Sequence, residues 1–295
     1  MKRWFTFFAL LPAMLLMLAL STQAAEAMRQ GLALCARSVV PALFPFLVLS
    51  GLFVNLGCAD VPARLLGSVM QRLFGCSGSG ASAFFLGILG GYPLGARTIG
   101  ELYRTGRISH QEGEDLLCFC NNAGPAFILG IAGAGIFGDL RAGAWLYLIH
   151  VAAATLVGLL LRRSKAAPTP RSALPQPSPS FPSALVSSIT SAGTTMVQIC
   201  AFVVFFYTLL HLSPLHHPLL LGVVELTRGI TALTAGRDAF LIASALLGWG
   251  GISVHCQTAA VLADTPLSLR RYFLGKTLHA LIAAALAWSA APLLF

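Results

Sequence analysis

The sequence predicts an all-α, polytopic membrane protein built of two halves in inverted topology, with helices that break or re-enter within the membrane. Three observations predict it. Of 295 residues, 57% are hydrophobic and only 10% charged, and mean hydropathy is +0.80, whereas a soluble domain carries about 25% charged residues. Glycine and proline interrupt the apolar runs at Gly90-Gly91 with Pro93, at Gly124-Pro125 and at Gly250-Gly251. Lipid offers a broken backbone no hydrogen-bond partner, so such breaks must lie in protein or line a cavity. Finally, the second half echoes the first: Gly90-Gly91 and Thr98 correspond, at constant spacing, to Gly250-Gly251 and Thr258. A polar helix start follows each, Ile108-Ser109 and Leu267-Ser268. Interrupted helices at matching places in two halves point to a transporter binding site.

The elements follow in order. Lys2 and Arg3 precede an apolar run from Trp4 to Leu20, and Ala25-Glu26-Ala27 resembles a signal-peptidase site. The run is longer than a signal core of about 7–15 residues, so 1–27 reads as an uncleaved N-terminal transmembrane helix or signal anchor. The first repeat takes 28–163. In it, Met28 to Val40 reads as an interfacial amphipathic helix, with Arg29 and Arg37 among apolar residues. PALFPFLVLSGLFVNLG reads as a short membrane helix with a kinked entry, and Val61 to Phe74 as a second interfacial helix. CSGSGAS is a joint. After the broken Phe84 to Pro125 stretch, Ala126 to Phe137 is Gly-rich enough to pack closely on another helix. Ala142 to Leu161 spans the membrane and ends in Arg162-Arg163-Ser164-Lys165.

The Pro- and Ser-rich segment 164–182 is a linker, which its flanking cations make cytoplasmic. The first half therefore starts outside and the second, 183–295, inside, which gives the inverted relation. In the second half Thr194 to Leu212 spans, and Leu219 to Leu233 is a helix carrying Glu225 and Arg228 in an apolar background. The broken segment Phe240 to Thr258 follows, then a basic interfacial stretch from Leu267 to Lys276 and a last span from Thr277 to Phe295.

Several function classes are excluded. The net charge of +9 lies at the ends of apolar runs, where it orients helices and meets the headgroups of the lipid bilayer. No basic stripe interleaved with aromatics suggests nucleic acid. HExxH, GxSxG and P-loop motifs are missing, so no enzyme and no catalytic residue is expected. The seven cysteines form no CxxC pair, and Cys118 and Cys120 read as small core residues; no metal and no cofactor is expected. His110, Glu112, Glu114 and Asp115 start a helix, where acids complement the helix dipole.

The candidate site gathers at the breaks. Gly91 and Gly251 open half-helices whose N-termini favour an anion. Arg97 and Thr98 follow the first break, and Arg97 has a planar fork that matches a carboxylate; the alternative is a brace to Glu101 one turn on. Asn121 and Asn122 stand before Gly124-Pro125, either facing a ligand or capping the helix. Ser253, His255 and Gln257 supply polar groups at the second break. Glu101, Glu225 and Arg228 are candidates for coupling or gating, since ionisable groups at membrane depth are functional by default; the alternative for Glu225 and Arg228 is an ion pair that only fixes orientation.

GGYPLGART with ELYRTG, ISHQEGEDLL and CFCNNAGPAFILG, together with PALFPFLVLSG, ELTRGI and GGISVHCQ, resemble the YlbJ-like sporulation integral membrane protein family, which carries gate or nucleoside-recognition domains. The resemblance covers nearly the whole chain; a short C-terminus and a Pro-rich linker depart from it. It implies a transporter-like fold with two gate repeats in a spore-forming bacterium. It also implies passage of dipicolinic acid, a pyridine dicarboxylate, across the outer forespore membrane from the mother cell. Two alternatives stay open: a non-transporting organiser that docks other sporulation membrane proteins, and a nucleoside transporter.

Overall fold

In a computed structural model, which describes residues 2–58, 60–163 and 179–295, the chain is helical, with no strand among the described residues. Among the described residues five helices are long and apolar enough to cross a membrane, or six if one bent pair counts as a span. Large apolar side chains such as Leu49, Leu65, Val197, Phe205, Leu281 and Trp288 are exposed, as lipid-facing residues should be. The linker predicted over 164–182 lies mostly outside the described residues. Its last two residues, Phe181 and Pro182, belong to a helix, because Pro at the start of a helix loses no hydrogen bond.

Helix α1 (Lys2–Ala19) meets α2 (Ser21–Leu34) after the single residue Leu20. Here the structure corrects the sequence reading of an interfacial helix followed by a short one. Helix α2, a π turn (Cys35–Val39) and α3 (Val40–Asn55) form one 35-residue rod. Pro41 has no N–H to give, and its ring crowds the preceding turn. The helix widens there, Val40 N donating to Cys35 O, and then continues.

Helix α4 (Asp60–Phe74) is joined to α5 (Gly78–Gly90) at a bend of 96°. Helix α5 stops at Gly91, and α6 (Leu94–Arg104) packs back against it, so the pair re-enters. Helix α7 (His110–Cys120) then runs up to a break at Asn121–Pro125, continues as a π-helical segment (Ala126–Phe137) and is followed by α8 (Leu140–Leu160). Close packing at the Gly-rich segment is present: a Cβ on Gly133 would lie 2.7 Å from Gly143 Cα.

In the second half α9 (Phe181–His211) is a 31-residue helix. The helix expected over Leu219 to Leu233 is divided into α10 (Pro218–Val224) and α11 (Leu226–Thr231). Glu225 between them is extended, at φ −135 and ψ 112, and accepts a bond from Arg228 N at 2.6 Å. A carboxylate that caps a new N-terminus stabilises the interruption. Helix α12 (Arg237–Trp249), Gly250 and α13 (Gly251–Val261) count as one 25-residue span. Helix α14 (Arg270–Ala290) completes the bundle.

Direction within the halves is specific. The lead helices α2–α3 and α9 are antiparallel: Tyr207 bonds Gln30 near one end and Asn55 bonds Ser188 near the other. The segments that carry the echo run the same way. Going up α7 and α14, Glu114 accepts from Ser268 N, Asp115 pairs with Arg271 and Asn121 O accepts from Lys276. Arg104 and Asp264, matching positions in the echo, bond each other at 2.8 and 2.5 Å. The hydrogen bond from Arg104 holds the Asp264 carboxyl below its usual range.

The acids of α7 do more than complement a dipole. Ser109 caps the helix by accepting from Glu112 N, which frees the side chains for other segments. Glu112 accepts from Ser77 N at the start of α5 at 2.6 Å. Asp115 holds Arg163 and Arg271 together; burial pushes its carboxyl up, opposed by those two guanidinium groups. Cys118 and Cys120 are buried core residues.

Two stability outcomes are expected. Gly91 has φ +77, and a Cβ there would meet Gly124 N at 2.8 Å. Gly91→Ala therefore pays roughly 1–3 kcal/mol in backbone strain and a clash besides. Gly106→Ala, at φ +69 with nothing within 4 Å, loses less; thermal unfolding in detergent compares the two. By the same measurement Glu225→Ala loses about 1–2 kcal/mol, the scale of a lost N-cap, while Glu225→Gln, which keeps an acceptor, loses less.

Candidate functional site

The four breaks meet. Gly91 of the first lies against Gly124 of the second. Tyr92 of the first donates its OH to Leu247 O, at the end of α12, at 2.9 Å. Trp249 of α12 donates to Val223 O of the third break at 3.0 Å, and Gly251 packs on Leu226 N. Asn121 of the second break donates to Thr258 Oγ1 of α13 at 2.8 Å and accepts from Ala96 N of α6 at 3.3 Å. Each interruption therefore hands its free polar groups to another, as a low-dielectric surrounding demands.

At this junction is a cavity of about 40 Å³, room for roughly three waters. Three of the breaks contribute to its wall, Tyr92 from the first, Ala123 and Gly124 from the second, Glu225 and Thr227 from the third, and α13, which follows the fourth, adds Val254 and Gln257. Ile199 and Val203 of α9 close one side. Helix α9 carries a further pattern on that side. One turn before Ile199, Arg97 donates to Thr195 Oγ1 at 3.0 Å and to Ser191 Oγ at 2.5 Å. One turn beyond Val203, Arg228 donates to Tyr207 OH at 2.8 Å, with its guanidinium 4.5 Å from the ring centroid. Along α9, Thr195 lies one turn, about 6 Å of helical rise, before Ile199, and Tyr207 one turn beyond Val203, so the helix that closes the cavity also bonds both arginines.

Of the residues predicted from sequence, the structure brings Gln257 and Glu225 into the cavity wall. Gly91 and Gly251 serve the close approach of one break to another. Thr98 is buried. Asn121 locks α6, α7 and α13 together. Asn122 donates to Phe119 O at 2.8 Å, the capping alternative, and its Oδ1 has no partner among the described residues. His255 bonds Tyr272 OH at 2.9 Å. Ser253 is buried, its Oγ without a hydrogen-bond partner among the described residues.

Three readings are corrected. Arg97 does not brace to Glu101: it reaches the hydroxyls of α9, and Glu101 is exposed. Glu225 and Arg228 do not pair through their side chains, because Glu225 is spent on the Arg228 amide and Arg228 turns to Tyr207. The stretch ending at Lys276 is not interfacial there: Lys276 is 1% exposed.

Lys276 belongs to a network that sequence reasoning missed. Its Nζ donates to Tyr92 OH at 3.1 Å and to Asn121 O at 3.2 Å, and lies 3.5 Å from His279 Nδ1. His279 Nε2 donates to His150 O at 3.0 Å, and the His150 and His279 ring centroids are 4.4 Å apart. His150 Nε2 in turn accepts from Ala123 N at 3.0 Å. Ionisable residues inside apolar helices were the available signal, but which of them meet is a matter of packing.

No solved structure matches the chain. Among curated proteins it is similar to the sporulation integral membrane protein YlbJ of Bacillus subtilis (strain 168), 28% identical over an alignment of 309 positions that takes in 88% of this chain and 75% of the relative. The Gate family model, described as nucleoside recognition, matches residues 36–288, which contain all four breaks, the cavity and the lysine network. A polytopic helical protein organised around these breaks, the chain belongs to the Gate (nucleoside recognition) family.

Proposed function

We propose that the protein is a membrane transporter that carries a small organic anion through the junction of its broken helices. One observation carries the reading: a cavity walled by residues of three breaks and of α13, closed on one side by α9, the same helix to which Arg97 and Arg228 are bonded. Arginines attract and orient carboxylates, and among the described residues both guanidinium groups donate to neutral hydroxyls, which an anion can replace. The cavity holds a few waters, less than an aromatic dicarboxylate needs, so it must widen to admit one. Opening requires the breaks to separate alternately towards the two sides. Half-helices joined by short non-helical links can swing in this way without unfolding.

Dipicolinate is the substrate that the family resemblance suggests, and two carboxylates flanking a ring suit two arginines. The relative's name supports a setting in sporulation; the outer forespore membrane is part of the same proposal. Inversion is confined to the lead helices, which are antiparallel, whereas α7 and α14 run the same way; in this reading α9 is the fixed rail and the break-bearing segments are the moving part. A second reading, nucleoside transport, draws on the neutral hydrogen-bonding wall of Tyr92, Thr227 and Gln257 and on the family's description.

Uptake into proteoliposomes separates these readings. Labelled dipicolinate is expected to enter saturably. Arg97→Ala should lose at least about tenfold in uptake, the 1.4 kcal/mol scale of one lost charge-assisted bond. Uptake of a labelled nucleoside that survives Arg97→Ala but fails in Gln257→Ala establishes the second reading instead. Absence of any uptake by folded protein would refute transport and leave a docking role.

A further inference from the structure

Lys276 sits one bond behind the cavity wall, in a position that costs free energy unless it does something. It is 1% exposed, in the middle of a helix that spans the bundle, and among the described residues it bonds no carboxylate. Its three ammonium protons have three acceptors: Tyr92 OH, Asn121 O and His279 Nδ1. Two of those acceptors belong to the first and second breaks. The third leads, through His279 and the His150 backbone, to the ring that accepts from Ala123 N. Tyr92 and Ala123 both line the cavity, so the network leaves the cavity wall at one break and returns to it at another.

The groups facing Lys276 are neutral or basic on every side. Tyr92 comes from the first break, Asn121 from the end of α7, His150 from α8, and Tyr272 and His279 from its own helix. His255 of α13 stands behind Tyr272. From α12 comes only the Leu247 carbonyl, by way of Tyr92 OH. A buried ammonium needs a counter-charge, and these neighbours supply none. The one carboxyl of the cavity wall, Glu225, is taken up by the Arg228 amide across the junction; an anion in the cavity would supply the counter-charge.

We propose that Lys276 is the proton-carrying site that couples anion passage to proton movement; this rests on the transport reading above. When the anion enters, the Lys276 amine takes up one proton and becomes the ammonium that donates to Tyr92, Asn121 and His279. When the anion leaves on the far side, the ammonium gives that proton up. The neutral amine has only two N–H groups, so one of the three acceptors is released. Because two of them hold breaks together, loss of the proton loosens the junction as the cavity empties. His279 Nδ1, 3.5 Å from Lys276 Nζ, is the ring nitrogen that faces the amine.

The test uses purified full-length protein in liposomes enclosing a pH-sensitive dye, with labelled dipicolinate as probe. In the wild type, an inward proton gradient should drive accumulation of label, and addition of dipicolinate should acidify the interior. Lys276→Met should lose gradient-driven accumulation while still exchanging internal label for external dipicolinate, since exchange needs no net proton movement. Lys276→Arg, a side chain that holds its proton permanently, should behave the same way. Wild-type uptake without proton entry overturns the proposal, as does gradient-driven accumulation that persists in Lys276→Arg. The wild-type proton measurement decides alone if Lys276→Met does not fold. Failure of the wild type even to exchange label removes transport itself, and is thereby distinct from uptake without protons.

Discussion

Backbone groups released inside a membrane have nowhere to go but other backbone groups released beside them. The rest of this structure follows from that constraint. Four helical interruptions would each be prohibitive alone in hydrocarbon; placed together, they satisfy one another through Tyr92 on Leu247, Trp249 on Val223 and Asn121 on Thr258. Glycine at the contacts lets the backbones approach within reach. Since lipid gives little apolar driving force between helices, the polar junction and the small-residue packing around it carry much of the specificity of the bundle.

The same junction is the natural place for function. Where helices run unbroken, hydrogen bonding along the chain leaves nothing to offer a solute. Where they break, N–H groups, side-chain amides and a void coincide. Helix α9 organises the surroundings: successive turns of it hold the Arg97 hydroxyl partners, one side of the cavity and the Arg228 partner Tyr207. Both guanidinium groups are thereby anchored to the helix that closes the cavity.

At the opposite pole from this adaptable centre is the clamp at the basic end. The first turn of α7 distributes its acids outwards, Glu112 to the start of α5, Glu114 to Ser268 and Asp115 to Arg163 and Arg271. With Arg104 on Asp264, these contacts tie the loops that follow α6 and α13 into one rim. A rigid rim beside a junction of short links confines motion to the breaks.

By itself the sequence determined the membrane class, through its hydropathy, and the position of three breaks, through glycine and proline, because these residues act locally on dihedral angles and hydrogen bonds. It also marked Gln257 and Glu225, polar groups that only a cavity or a cap justifies in such surroundings. Other features were decided by tertiary structure. The π turn turned two expected helices into one rod, since the crowding at Pro41 could end a helix or widen it, and burial against α9 favours widening. The break at Glu225 carries no glycine or proline; it exists because a carboxylate caps the next half-helix. Arg97 left Glu101 for hydroxyls 94 and 98 residues away in the chain. Lys276, His279, His150 and Tyr92 meet only because α8, α14 and the first break pack together, and no spacing along the chain encodes that meeting.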